Sequence, residues 1–134
     1  MKSCLTQILI GIGLALCAAT AAATDLTIHL LGSDTITPRT VKFQCDAEGA
    51  KIGLPSGPFS VHYINGAGNS LAVVPIGGKS LIFANVMAAS GARYASGFYI
   101  WWEAGGAATL YVDSLEGKDQ SSCHPVKEST APHT

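Results

Sequence analysis

The chain has 134 residues, with 8 basic and 9 acidic side chains, a formal net charge of −1 and 48% hydrophobic residues, which fits one domain with a modest core. It carries no basic patch and no charge run, which argues against a nucleic-acid partner. Its mild negative charge is compatible with a basic protein partner without pointing to one.

The N-terminus sets the compartment. Lys2 precedes an apolar run from Ile8 to Ala19, and small residues follow, ending in Ala21-Ala22-Ala23. This is the layout of a secretory signal peptide over residues 1–23, cut before Thr24. The run is short for a bilayer span. Leu14-Ala15-Leu16-Cys17 resembles a lipoprotein box, but such boxes want a small residue where Leu16 stands. Plain cleavage to a soluble exported product is therefore the first reading, and a lipid anchor on Cys17, which would bring the protein to a membrane, is the alternative.

Cleavage leaves 111 of the 134 residues (24–134), and the basic count falls from 8 to 7 against 9 acidic residues. Cys4 and Cys17 leave with the signal. Cys45 and Cys123 remain in an oxidising compartment, where a bond between them would close a loop of 78 residues (45 to 123). In the chain-entropy view such a bond is worth roughly 4–5 kcal/mol. Two cysteines without further ligands at suitable spacing do not make a metal site.

The segments that follow alternate with period two, as strands do. Thr24 to Leu30 places Leu26, Ile28 and Leu30 on one face, and Thr40 to Cys45 alternates again. Phe59, Val61 and Tyr63 face one way, with Ser60 and His62 on the other. Ser70–Val74 and Lys79–Val86 are short apolar runs. Val86 to Arg93 is rich in alanine but interrupted by Ser90-Gly91, and is read as a loop. Tyr94, Phe98–Trp102 and Thr109–Val112 complete the set. Turns are expected at Asn65–Asn69, Gly77-Gly78 and Ala104-Gly105-Gly106, where glycine supplies positive φ. No stretch offers an amphipathic helix, and the residues after Cys123 read as a frayed tail. Seven or eight short strands joined by hairpins predict an all-β fold, a small antiparallel barrel or sandwich tied end to end by one disulfide.

Enzyme chemistry finds no foothold in this pattern. His29, His62, His124 and His133 are scattered, with His124 and His133 in the presumed tail. There is no phosphate-binding glycine loop at a strand–helix junction and no Gly-x-Ser-x-Gly elbow. The expectation is a protein that is not an enzyme and needs no cofactor or metal. The distinctive stretch is Ala89 to Gly105, a small-residue loop running into an aromatic strand and a glycine hairpin. A loop with Ser90-Gly91 at its tip is narrow enough to enter a cleft. Arg93 and Tyr94 are residue types favoured at interfaces. The plain alternative is a tight turn, with Tyr94 and Trp102 in the core.

These residues resemble the membrane-bound and periplasmic inhibitors of c-type lysozyme (MliC/PliC). Phe43-Gln44-Cys45 is similar to the family's opening strand and cysteine. Val61–Asn65 with Asn69–Ala72 is similar to its central hairpin, and Ser90-Gly91-Ala92-Arg93-Tyr94 to its signature loop. Trp102 with Gly105 resembles its second motif, and Cys123 falls where its disulfide closes. The resemblance implies a small antiparallel β-barrel of about eight strands, a periplasmic or outer-membrane-anchored product, and c-type lysozyme as the partner. It also implies that the signature loop enters the substrate cleft, with Ser90 near the catalytic carboxyl groups and Gly91 allowing close approach. The second motif departs from the pattern. In Trp102-Glu103-Ala104-Gly105, Ala104 stands where the family carries a lysine, and Glu103 adds a negative charge. Arg93 is a candidate for the missing cation. Two further readings are a diverged member with another envelope partner and an enzyme with an unrecognised site.

Overall fold

The computed structural model describes residues 23–32, 34–114 and 117–127. All but the last residue of the expected signal peptide, with Cys17, lies outside the described residues, as does His133. Eight strands run in chain order: β1 (Thr37–Cys45), β2 (Phe59–Gly66), β3 (Asn69–Ile76), β4 (Lys79–Val86), β5 (Ala92–Ser96), β6 (Tyr99–Ala104), β7 (Ala107–Ser114) and β8 (Gly117–Pro125). Each pairs antiparallel with the next, and β8 pairs with β1 to close a barrel. Closure removes free sheet edges over most of the circumference. Of the two architectures the alternation allows, the chain adopts the barrel.

Period two decides what lies inside. Phe43, Phe59, Val61, Tyr63, Ala72, Val74, Phe83, Tyr94, Trp101, Ala108, Leu110 and Cys123 are buried in one cluster. Trp101 sits at its centre, edge-on to Phe43 at 5.1 Å between ring centroids, and its indole N–H donates to the Tyr63 hydroxyl at 3.0 Å. That bond satisfies a polar group that would otherwise destabilise the interior. Cys45 and Cys123 face each other across the β1–β8 ladder and are bonded.

Three expectations need correction. Thr24–Leu30 forms no strand; Leu26 and Ile28 are well exposed, and their alternation finds no partner strand. The eighth strand comes instead from Gly117–Pro125, whose Lys-Asp-Gln-Ser-Ser run hides its character. His124, assigned to a tail, lies in that strand opposite Gln44. Last, a one-turn helix, α1 (Ala47–Lys51), follows β1. It is too short for an amphipathic pattern, and is set by its N-cap Asp46 and by Lys51 pairing with Glu48 at 2.7 Å.

Smaller shifts of boundary matter for the site. Phe98 belongs to the turn after β5 and is exposed, its ring tilted by 37° against that of Tyr99, so β6 begins one residue later than expected. The loop expected over Val86–Arg93 is shorter: β4 runs to Val86 and β5 starts at Ala92. His62 is exposed as expected, bonded to the Thr40 hydroxyl at 2.9 Å.

Candidate functional site

The loop Met87–Gly91 joins β4 to β5 at one end of the barrel and is seated on β6. Gly91 has φ +66°, and a β carbon there would collide with the Glu103 carbonyl oxygen. Glycine therefore provides both the turn and the close approach. Ser90 offers its carbonyl to the Trp102 indole N–H at 3.0 Å, and the Asn85 side-chain amide donates to the Arg93 carbonyl at 3.1 Å. Trp102 thus ties the loop to β6 and Asn85 ties β4 to β5 at its base, while Ser90 stays exposed and Met87, 96% exposed, projects beside it.

Strand alternation then separates the motif residues. Tyr94 points inward and is 5% exposed, tilted against Tyr63 at 5.8 Å. It anchors β5 under the loop rather than projecting from the surface. Ala92 is half-buried. Arg93 and Trp102, opposite each other in register, face outward. With Ser90, Tyr111 and Lys118 they line a groove of about 420 Å³ on the outer wall. Trp102 and Tyr111 lie 6.3 Å apart there, tilted by 34°.

The second motif closes the other side. Gly105 and Gly106, with φ +61° and +80°, turn β6 into β7. Ala104 and Gly105 join Gly91, Ala92 and Glu103 around a depression of about 380 Å³ at the barrel mouth. The Glu103 side chain turns inward. One carboxylate oxygen lies 3.4 Å from the Trp101 indole nitrogen and the other 3.7 Å from Arg39 Nη2. Burial pushes its pKa above the usual carboxylate value, and the Arg39 charge pulls against that rise. Arg39 is the residue that sequence reasoning missed. Its signal was its place on the inward-facing parity of β1, with Val41 and Phe43, where a charge is out of pattern.

Gly91, Glu103, Ala104 and Gly105 therefore share the depression at the barrel mouth, while the adjacent Ser90 lines the outer groove with Arg93 and Trp102. Among the described residues, no group of three or more His, Cys, Asp or Glu is placed to hold a metal ion.

A family profile described as "Membrane-bound lysozyme-inhibitor of c-type lysozyme" (MliC) matches residues 43–118, more than half of the chain. The chain belongs to this family. A Pseudomonas aeruginosa protein named membrane-bound lysozyme inhibitor of C-type lysozyme is 45% identical over 92 residues, which is 68% of this chain and 66% of that protein. A protein of the same name from Cupriavidus necator is 43% identical over 72 residues, 54% of this chain and 51% of its own length. The chain thus spans between half and two thirds of the length of these two relatives. Among solved structures, it matches one of Pseudomonas aeruginosa MliC in complex with hen egg white lysozyme, with TM-score 0.60, 37% identity, and coverage of 79% of this chain and 100% of that one. The MliC family takes its name from inhibiting an enzyme rather than from being one, as the sequence leads one to expect.

Proposed function

We propose that this protein is an exported inhibitor of c-type lysozyme that occludes the substrate cleft with its Ser90–Gly91 loop. The observation that carries this reading is the seating of that loop. It is narrow, free of bulk at its tip, and held to β6 by the Trp102–Ser90 bond and the Gly91–Glu103 contact. A loop already ordered before binding loses little conformational entropy on entering a cleft. The cleft of such a glycosidase holds two carboxyl groups flanking the scissile bond. In this reading the Ser90 hydroxyl donates toward them and Gly91 lets the backbone follow. Trp102 and Tyr94 act as supports, one outside and one inside the wall. Inhibition is then simple competition with peptidoglycan, with no covalent step and no cofactor. The protein would act in the cell envelope, periplasmic after cleavage at Thr24, or held at the outer membrane if Cys17 is lipidated.

Ala104 favours one other reading, a member that has drifted to a different envelope partner. Lysis of bacterial cell walls by hen egg white lysozyme separates the two. The oxidised protein is expected to inhibit in a one-to-one complex and to raise the apparent KM with kcat unchanged. Ser90→Arg, which puts bulk at the tip, is expected to abolish the effect while leaving the thermal melt in place. A folded, disulfide-bonded wild type that fails to inhibit in large excess would leave the drifted reading standing.

A further inference from the structure

The barrel mouth carries a cation built into it. Arg39 lies on β1 directly across the ladder from Tyr63. Its guanidinium sits 4.5 Å from the centroid of the Tyr63 ring. That ring is itself fixed, because the Tyr63 hydroxyl accepts the buried Trp101 N–H. Arg39 Nη2 faces Glu103 at 3.7 Å, yet the Arg39 side chain remains 56% exposed against 23% for Glu103. A guanidinium presents five N–H donors in a planar fork, so one edge serves Glu103 while the rest stays available. Among the described residues, no second carboxylate is paired with it.

Position decides what that free edge meets. Arg39, Gly91, Glu103 and Ala104 line the same depression. Arg93, the other arginine near the loop, lines the separate outer groove instead, together with Ser90, so the two arginines flank the Ser90–Gly91 tip from opposite sides. A carboxylate entering beside Gly91 therefore faces Arg39.

We infer that Arg39 is a specificity-determining residue of this inhibitor, engaging a catalytic carboxylate of lysozyme while Glu103 and Tyr63 hold its guanidinium in place. This rests on the inhibitor reading. It also gives Glu103 a role, since its negative charge reaches the interface already paired.

The test compares inhibition constants against hen egg white lysozyme for Arg39→Gln, Arg39→Lys, Arg93→Gln and the double variant R39Q/A104K. Removing one member of a desolvated charge pair is expected to weaken Arg39→Gln by roughly 30-fold or more. Arg39→Lys should fall between it and wild type, because the charge stays and the fork is lost. R39Q/A104K should recover most of the loss, since it returns a cation to the same depression from a different strand. The dependence of inhibition on ionic strength should be shallower for Arg39→Gln than for wild type. The proposal is overturned if folded Arg39→Gln inhibits within twofold of wild type, or if Arg93→Gln costs more. It is also overturned if lysine at 104 restores nothing, which would leave Arg39 a packing role against Tyr63. A wild type that does not inhibit at all removes the inhibitor reading first, and this role with it.

Discussion

Gly91 joins a left-handed φ to backbone contact with β6, and the two constraints are separable. Gly97 and Gly105 share the positive φ but have open space where a β carbon would go. Alanine at either of those positions meets only backbone strain, whereas Gly91→Ala must also push the loop off Glu103. Gly91→Ala is expected to cost about 1–3 kcal/mol of stability and to weaken inhibition further than that strain alone explains. Denaturant unfolding and inhibition titration on the same preparation check this. The turn at Ser90-Gly91 was legible in the sequence because small residues interrupt an apolar run there. Tyr94 could be read two ways, as an interface residue or as a core one, and the structure gives it the core side, with β5 starting at Ala92. Arg39 was not legible as part of the site. Its meaning depends on β1 and β6 meeting across the barrel mouth, a contact no local pattern encodes.

Among the elements, the strands from Thr40 to Val112 were readable because they are apolar on one face, and Lys79–Val86 matches its expected limits. The two ends of the barrel were not. The N-terminal alternation has no partner, and β8 is a strand by pairing rather than by hydropathy. Helix α1 and β8 are joined by Asp46. Its carboxylate accepts the Ser121 hydroxyl at 2.7 Å and the Ser122 N–H at 3.0 Å while capping α1 through the Glu48 N–H at 3.2 Å. Those bonds, the Ser121 one first, hold its pKa below the usual carboxylate value despite opposing desolvation. The folded form thus binds this proton less readily than the unfolded chain. The stabilisation is complete above the unfolded pKa of about 3.9 and is lost as pH falls through the lower folded value. Asp46→Ala is expected to cost about 1 kcal/mol at pH 7, and the gap from wild type should narrow on acidification below about pH 4. Urea midpoints of both proteins across that range would show it; a gap that stays constant would locate the effect elsewhere.

For the molecule as a whole, the wall is thin at two junctions, β1–β8 and β4–β5, each with three paired residues, and the first of them closes the barrel. Only Phe43, Gln44 and Cys45 pair with β8, against seven pairs between β1 and β2. The disulfide sits in that short ladder and spans a sequence separation of 78. Its removal as Cys45→Ala/Cys123→Ala is expected to lower stability by roughly 4 kcal/mol in the chain-entropy view. Guanidinium unfolding of that double variant beside the oxidised protein measures the difference, and an unchanged midpoint would mean that the short ladder closes the barrel unaided.

The same bond also changes how the barrel answers to force. A pull applied at the two termini travels through residues 45 and 123 and passes from one sulfur to the other. The segment between them, which carries the Ser90–Gly91 loop, Trp102 and Glu103, is mechanically shunted. Roughly 270 Å of contour length, at about 3.5 Å per residue, is withheld from extension. Tension along the chain can peel away Thr24–Gln44, Arg39 among them, and the residues beyond Cys123, but it is not carried through the Ser90–Gly91 loop itself.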